Sequence, residues 1–195
     1  MIMFRLLIRC LLIALALLAA ATTHAQVLST QTEALARAFP NAPKIQRRTL
    51  FLTEEQTQAV AKLAQTNVES KLVTFYVDST GTGPTGFAFF DKNMVRTKEE
   101  ILMIVLNLDG SIRTVEILAF YEPLDYLPPP RWLKLFQAKF LSADLWPNRD
   151  LHAITGATLS VHAVTFSVRK ILATYQVALA PSAKTVLINS PREQQ

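Results

Sequence analysis

The stretch Ile101-Leu102-Met103-Ile104-Val105-Leu106-Asn107-Leu108-Asp109-Gly110-Ser111-Ile112 decides the fold of this chain. The apolar runs 101–106 and 112–118 have the length and the β-branched content of strands. Asp109-Gly110 lies between them, and an Asp-Gly pair in this place indicates a hairpin because the tight turn requires positive φ. The stretch therefore predicts two antiparallel strands joined by a short turn.

Further strands are predicted immediately before this hairpin. Residues 72–77 and 87–90 are rich in aromatic and β-branched side chains, and a Gly/Pro-rich turn at 81–86 separates them. Four neighbouring strands with short connections favour a mostly antiparallel sheet.

Helical patterns surround the predicted strands. Residues 30–39 have the apolar spacing of a short helix that Pro40 ends, and Thr53 with Gln56 forms a capping-box pattern before a second helix. A third helix is predicted over 131–140, with Trp132, Leu133, Phe136 and Phe140 facing inward, and a fourth over about 156–175. The sequence thus predicts an α+β fold with a mostly antiparallel sheet covered by helices, in a single domain.

The two ends of the chain have a different character. Residues 1–25 carry Arg5 and Arg9, then an apolar run, then Thr23-His24-Ala25, the pattern of a cleavable secretory signal peptide. An uncleaved anchor is the alternative, although the apolar run is about half the length that spans a bilayer. We therefore expect a signal peptide at 1–25, an N-terminal helical segment at 26–70, the main domain at 71–178 and a flexible C-terminal tail at 179–195.

Composition excludes several kinds of site in the mature chain. The one cysteine, Cys10, lies in the signal, so disulfides, thiolate metal sites and cysteine nucleophiles are excluded. Only His152 and His162 remain as histidines, too few for a histidine-rich metal site. Without 1–25 the chain has 18 basic and 15 acidic residues, a net charge of +3, and no basic stripe. We expect no nucleic-acid partner.

The informative motif is Thr155-Gly156-Ala157-Thr158-Leu159-Ser160, at the start of the last helix. The spacing predicts that the helix begins near Thr155. It places Ala157, Val161, Val164, Val168, Ile171 and Tyr175 on an apolar stripe, and Thr158, His162, Thr165 and Arg169 on a polar one. Arg169 and Lys170 lie far along the helix, where cations complement its negative end.

Two interpretations of this motif stay open on spacing alone. The first N-H groups of a helix have no internal partner and attract anions, so the Thr158 hydroxyl could bind a phosphate or be esterified to one. Gly156 has no Cβ and lets a bulky group approach the backbone. Equally, Thr155 has the residue type of an ordinary N-cap and Ser160 that of an ordinary first-turn hydroxyl.

Thr155-Gly156-Ala157-Thr158 resembles the flavinylation motif Asp-x-x-Ser/Thr-Gly-Ala-Thr of the FMN-binding domain family, which includes flavin subunits of sodium-pumping quinone reductases and Rnf complexes. In that family a flavin transferase uses FAD and Mg²⁺ to attach FMN to the last threonine through a phosphoester. The resemblance implies that this threonine is Thr158. It extends over about 75–170, so 71–178 is expected to be the FMN-binding domain.

The resemblance also implies roles for residues outside the motif. Glu122 and Tyr126 lie in a loop whose place in the chain resembles the loop that packs on the flavin ring. His152 stands where the family has aspartate, with Asp150 two positions earlier. This departure leaves two alternatives, covalent attachment and non-covalent FMN, and it makes His152 a candidate contact of the phosphate or of the Thr158 hydroxyl.

These expectations give an exported flavoprotein, periplasmic or otherwise extracytoplasmic, that can associate with the inner membrane. Its partners would be a flavin transferase and a membrane or periplasmic redox partner. An electron carrier is favoured over a stand-alone oxidoreductase, because the flavin supplies the chemistry and the protein supplies attachment and orientation. The alternatives are a flavin-dependent reductase of a small substrate or metal ion, and a cofactor-free binding module.

Overall fold

The computed structural model describes residues 26–78 and 83–180. Its strands are β1 (Gln26–Val27), β2 (Ile45–Phe51), β3 (Leu72–Asp78), β4 (Gly86–Met94), β5 (Glu99–Asn107) and β6 (Ile112–Phe120). They form one six-stranded sheet in the order β1-β6-β5-β4-β3-β2. Every neighbouring pair is antiparallel.

The helices of this part of the chain are α1 (Gln31–Ala38), α2 (Glu54–Ala64), α3 (Pro130–Leu133) and α4 (Thr158–Thr174). Short 3-10 turns follow at Leu124–Tyr126 and Lys134–Phe136, and a π-helical turn, Tyr175–Leu179, continues α4. The predicted α+β class with an antiparallel sheet is confirmed.

The predicted hairpin is the β5–β6 pair. Leu106 pairs with Ile112 across the turn, and Gly110 has φ +86. Tyr175 lies directly over this glycine, and its hydroxyl donates to the Leu108 carbonyl at 2.5 Å. The turn therefore requires glycine both for its backbone conformation and for the space that the ring occupies.

Helices cover both faces of the sheet. Leu102, Ile104 and Leu106 of β5 pack in the main core with α4, whereas Met103 and Val105 pack with α1. Because both faces are buried, residues 101–106 of β5 are all apolar and do not alternate with polar ones. Helix α2 packs on the far side of α4, where Val60 and Ala64 lie against Ala173.

Both N-terminal helices begin with a complete capping box. Thr30 and Glu33 exchange side-chain hydrogen bonds with each other's backbone, and so do Thr53 and Gln56. The box predicted at Thr53 is confirmed. Helix α1 lies within the predicted 30–39.

The expected N-terminal helical segment, 26–70, contains strands as well as helices. It contributes β1 and β2, the two edges of the sheet. Strand β2 was missed because its sequence, IQRRTLF, is charged and polar in the middle, and its burial pattern is mostly exposed. An edge strand of this composition carries little hydrophobic signal.

The predicted helix 131–140 is wrong beyond Phe136. Residues 137–139 leave the helix to pair with the start of β6, since the Ala138 N-H donates to the Ile112 carbonyl and the Ile112 N-H donates to the Lys139 carbonyl. Phe140 is consequently 53% exposed, whereas Trp132, Leu133 and Phe136 are buried as predicted.

The expected signal peptide and most of the expected tail lie outside the described residues. Leu179, at the expected start of the tail, is buried in the main core. Within 26–78 and 83–180, no helix has both the length and the apolar character needed to cross a membrane.

Candidate functional site

A cavity of about 150 Å³ lies at the start of α4, and we call it the Thr158 cavity. Its walls come from the β4–β5 turn, the segment after β6 and the first residues of α4. Most of the residues predicted from the sequence for this site therefore lie together. The lining residues are Val95, Arg96, Glu122, Tyr126, Gly156, Ala157, Thr158, Leu159 and Ser160.

Helix α4 begins three residues later than predicted, at Thr158. Gly156 has φ +85, a left-handed conformation that interrupts the helical path, and the Ala157 N-H donates to the Ile154 carbonyl in a turn. Thr155 is therefore not the N-cap. A Cβ added at Gly156 would have no atom within 4 Å, so the backbone here is open to approach from outside.

The start of α4 has no side-chain cap. Its N-cap is Ala157, with φ −115 and ψ 25, and within the described residues no side-chain cap hydrogen bond is made there. The first amides of a helix lack internal partners and concentrate positive charge, so this end of α4 favours an anion. Thr158, the first helical residue, is exposed there.

Ser160 faces the same cavity from the first turn of α4. It is 1% exposed, and its Oγ has no hydrogen-bond partner among the described residues. Buried hydroxyls usually have a hydrogen-bond partner. The Ser160 hydroxyl is therefore a polar group beside the Thr158 cavity whose hydrogen-bonding capacity is not used by the described residues.

Glu122 anchors the opposite wall. Its Oε1 accepts from the Thr97 N-H at 2.6 Å, the Lys98 N-H at 2.8 Å and the Thr97 hydroxyl at 3.0 Å. These hydrogen bonds hold the pKa of Glu122 below its usual value, and the bond from the Thr97 amide contributes most. The carboxylate therefore fixes the β4–β5 turn beside the start of α4.

Arg96 is a lining residue that sequence reasoning missed. It lies in the β4–β5 turn, is exposed, and borders the cavity that Thr158 also borders. Arginine is well suited to phosphate because its guanidinium presents several donors in a plane. No local pattern marks this residue, because its place depends on the long-range contact of the turn with Glu122.

Two predicted site residues do not line the cavity. His152 has an exposed side chain, and its backbone carbonyl accepts from the Trp132 indole N-H at 2.7 Å. Thr155 is also exposed and lies within the turn that precedes the helix. The Trp132 contact gives position 152 a structural role through its backbone.

The predicted apolar stripe of α4 is confirmed, but the polar stripe is wrong for its second half. Thr165 and Arg169 are buried, because α2 and residues 141–146 cover this side of the helix. The Arg169 guanidinium donates to the carbonyls of Leu63, Ala64, Ser142 and Leu145, and it lies 4.4 Å from the centre of the Trp146 ring. Arg169 thus complements the end of α2 and not that of its own helix.

No protein-family model matches this chain, and no curated protein matches it.

Within the described ranges, no group of three or more histidine, cysteine, aspartate or glutamate side chains is placed to hold a metal ion.

A larger cavity of about 700 Å³ lies further along β4, and we call it the α4 groove. It lies between β3, β4, the α2–β3 connection and α4. At its base Asp91 pairs with Lys170 at 2.8 Å. Asn93 and Met94 at the end of β4 border the α4 groove, and Val95 and Arg96 in the following turn border the Thr158 cavity, so the two cavities are neighbours along the chain. The predicted motif and the partnerless Ser160 hydroxyl point to the smaller cavity as the candidate site, although the groove is larger.

Proposed function

We propose that this chain is an FMN-binding electron-carrier domain of the kind that its Thr-Gly-Ala-Thr motif resembles, with FMN attached through its phosphate to Thr158. The observation that carries the proposal is the Thr158 cavity. It combines an exposed hydroxyl at the start of a long helix with a buried hydroxyl that has no hydrogen-bond partner in the described part of the chain, and Arg96 also lines it.

The donors around the cavity fit a phosphate group. The first amides of α4, the Arg96 guanidinium and the Ser160 hydroxyl are all hydrogen-bond donors, the set that proteins use for phosphate. Glu122 opposes an anion by its charge. Because its Oε1 already accepts three hydrogen bonds from the turn, much of that charge is compensated.

The size of the cavity fits the phosphate end of the cofactor and not its ring. Pockets that enclose a whole cofactor-sized ligand have roughly 300–1,000 Å³, and this one has about 150 Å³. The flavin ring would therefore lie at the surface, where Leu159 and Leu124 are 52% and 44% exposed. Tyr126 offers a flat apolar surface beside them.

The chemistry of such a site belongs to the cofactor. A bound flavin accepts and donates electrons, and the protein holds it at the surface within reach of other redox proteins. This chain's residues would supply the point of attachment at Thr158, phosphate contacts from Arg96 and Ser160, and a rigid wall held by Glu122.

The test is intact mass spectrometry of the chain after co-expression with a flavin transferase, with FAD and Mg²⁺ present. We expect a mass increase of one FMN less one water in the wild type and none in Thr158→Val. Thr155→Ser is the matched control, because the motif accepts serine there, and it should keep the increment. A colourless wild type of unmodified mass would overturn the proposal.

Arg96 allows a second comparison in the same assay. Arg96→Gln should lower the modified fraction, because the phosphate loses a cationic contact. Arg131→Gln should not, since Arg131 is exposed and lies outside the cavity. Equal modification of the two variants would exclude a role for Arg96.

Non-covalent FMN is the second candidate, and His152 in place of the motif aspartate is the observation that favours it. It predicts a yellow protein of unmodified mass that loses its colour on acid precipitation. Turnover with a soluble electron donor and no partner protein would then identify a reductase.

A further inference from the structure

The sheet is split beside the α4 groove. Strands β3 and β4 pair from Val77 with Phe87 to Phe75 with Phe89, and their ladder stops there within the described residues. Each strand then continues with its other neighbour, β3 with β2 as far as Leu72 and β4 with β5 as far as Met94. Residues 72–74 and 90–94 are therefore neighbouring strand segments that do not pair with each other.

The α4 groove lies in this split. All residues of 72–74 and of 89–94 line it. Successive residues of a strand point to opposite faces of the sheet, so a cavity that all of them border lies against the edges of the strands. Its volume of about 700 Å³ is in the range of roughly 300–1,000 Å³ that encloses a bound molecule. The groove is thus an opening between two strands with room for a further segment of chain.

The edge of β4 offers backbone hydrogen bonds to the groove. In an antiparallel strand, the N-H and C=O groups of alternate residues are directed to the same neighbouring strand. The Val95 N-H donates to the Lys98 carbonyl, so every second residue counted back from Val95 is directed to β5. The residues directed to the groove are Phe90, Lys92 and Met94.

The edge of β3 is completed by a side chain. The Leu72 N-H donates to Ser70 Oγ at 3.0 Å, and the Ser70 hydroxyl donates to the Leu72 carbonyl at 3.2 Å. The serine takes the place of a neighbouring strand at this position. The edge of β4 is therefore the one that a further strand would extend.

Exposed apolar side chains flank the split on one face of the sheet. The rings of Tyr76 and Phe90 are in contact and pack with α1 on this face. Leu72 and Met94 lie on the same face, four residues from them along each strand, and Phe51 is the cross-strand partner of Leu72. Phe51, Leu72 and Met94 are each more than half exposed. Apolar side chains beside an unpaired strand edge mark a contact surface.

The chain continues for fifteen residues beyond Ala180, and one stretch of them has the composition of a strand. Thr185-Val186-Leu187-Ile188 is rich in β-branched residues, with Pro181 and Pro191 on either side. No other part of 181–195 has this pattern.

This stretch fits the two faces of the split. On one side of the groove α4 presents Phe166 and Ile171, and on the other side Leu72 and Met94 are exposed. A strand inserted between them needs apolar side chains on both of its faces. The three successive apolar residues 186–188 provide them, whereas a strand that alternates with polar residues would satisfy one face.

The stretch also begins within reach of the groove. Thr174 lines the groove, and Ala180 follows six residues later, about 9 Å along a helix. Residues 181–184 span about 13 Å when extended, enough to return to the level of Thr174. Residues 185–189 then extend over about 17 Å, and β4 runs about 14 Å from Phe90 to Met94.

The direction of such a segment follows from that of α4. Tyr175 near the end of α4 contacts Phe87 near the start of β4, and Ser167 accepts from Asn93 near the end of β4. Helix α4 is therefore antiparallel to β4. A segment that turns back after Ala180 runs parallel to β4.

We propose that residues 185–189 insert into the α4 groove of their own molecule as a strand parallel to β4, bonded to the backbone edge of 90–94. Thr185 then lies at the Phe90 end of the groove and Asn189 at the Met94 end. The inserted strand fills the split and covers the apolar side chains that flank it. This strand addition needs no bound flavin, so it stands or falls separately from the proposed function.

Backbone amide hydrogen exchange of the purified chain, followed by NMR, tests the insertion. We expect slow exchange in 186–188 and at Phe90 and Lys92. Leu187→Asp places a charge between two apolar faces and should displace the segment. Exchange at Phe90 and Lys92 should then be about tenfold faster or more than in Gln194→Asp, which adds the same charge outside the segment.

The amide of Ile104, in a central strand, reports whether both variants keep the fold. Its exchange should be the same in Leu187→Asp and Gln194→Asp. Equal exchange of the two variants at Phe90 and Lys92 would overturn the proposal. So would exchange of 186–188 at the rate of an unfolded chain.

Cross-linking tests the direction and the origin of the segment. In a chain with Cys10→Ser, which removes the one cysteine, Met94→Cys and Asn189→Cys are joined by a short bismaleimide. We expect a product of monomer mass. Met94→Cys with Thr185→Cys is the control and should react much less, because Thr185 lies about 13 Å from Asn189 along the strand. A product of dimer mass would assign the groove to a second copy and overturn the proposal, as would equal yields from the two pairs.

Discussion

The helices of this protein begin in two ways. Helices α1 and α2 begin with a threonine whose hydroxyl accepts from the first turn, and a Glu or Gln three residues later completes the box. Helix α4 is longer, and its N-cap residue is Ala157, whose methyl group cannot accept a hydrogen bond. Helices α1 and α2 satisfy first-turn amides with their own side chains, whereas in the described residues α4 has no side-chain cap, and neither has the four-residue α3.

The comparison of these helix starts shows that Thr158, unlike Thr30 and Thr53, is not an N-cap. Thr30 and Thr53 precede their helices in extended backbone, the geometry in which a threonine caps. Thr158 already has helical backbone and follows the N-cap position, so its hydroxyl does not cap the helix. In the part of the chain that the structure describes, the Thr158 hydroxyl is exposed and caps no helix.

The largest expected effect concerns the C-terminal end of α2, whose last carbonyls accept hydrogen bonds from Arg169. Arg169→Met removes the donors of four backbone carbonyls, two of them at the end of α2. We expect the free energy of unfolding to fall by about 3 kcal/mol or more, because buried carbonyls lose charged partners. Denaturant unfolding measures it, with Arg131→Met as the exposed control. A loss below about 1 kcal/mol would show that water replaces the guanidinium.

Replacing two glycines that have the same backbone conformation, Gly110 and Gly156, distinguishes the cost of backbone strain from the cost of a steric clash. Gly110→Ala and Gly156→Ala both place a Cβ at φ near +85, but only the first meets an obstacle, the Tyr175 ring. We expect about 1 kcal/mol of destabilisation at Gly156 and roughly 2 kcal/mol or more at Gly110. Thermal unfolding of the two variants gives the comparison. Equal losses would mean that the ring moves aside freely.

Replacing the threonines at two helix starts tests the comparison directly. Thr53→Ala should cost about 1 kcal/mol, since a capping hydroxyl is lost. Thr158→Ala should change the stability of the apo protein by less than about 0.5 kcal/mol, because it is exposed and caps nothing. Similar losses in urea unfolding would mean that the two helix starts are alike, and Thr158 would then be structural.

A loss of stability is expected even from adding a capping residue type. Ala157→Ser introduces a hydroxyl, yet ψ 25 is far from the extended backbone of Thr30 and Thr53, so this hydroxyl cannot reach the first-turn amides. Ala157 is 3% exposed, so the hydroxyl would be buried without a partner and stability should fall by about 1 kcal/mol. A gain above about 1 kcal/mol in chemical unfolding would show that the start of α4 rearranges to accept a cap.

Local patterns predicted the parts of the fold that local chemistry controls. The Asp109-Gly110 turn, the box at Thr53 and the apolar stripe of α4 each depend on residues a few positions apart. Strand β2 and the end of the helix at Phe136 depend on partners far along the chain. Their own sequences do not contain that information.

The candidate site shows the same division. The motif at 155–158 could be located from sequence, and the resemblance added Glu122 and Tyr126, which do line the cavity with Thr158. Arg96 could not be found in that way. A charged residue in a turn is ordinary in sequence, and its place beside Thr158 depends on the long-range contact of the turn with Glu122.

The strand order has a consequence for how the chain folds. Residues 26–51 supply both outer strands of the sheet, on opposite sides of the four strands that follow in the chain. Strand β2 pairs with β3, the next strand along the chain, but β1 has no strand partner until β6 exists, and such long-range pairing slows folding. Of the five strand pairings, that of β1 with β6 therefore closes the longest stretch of chain.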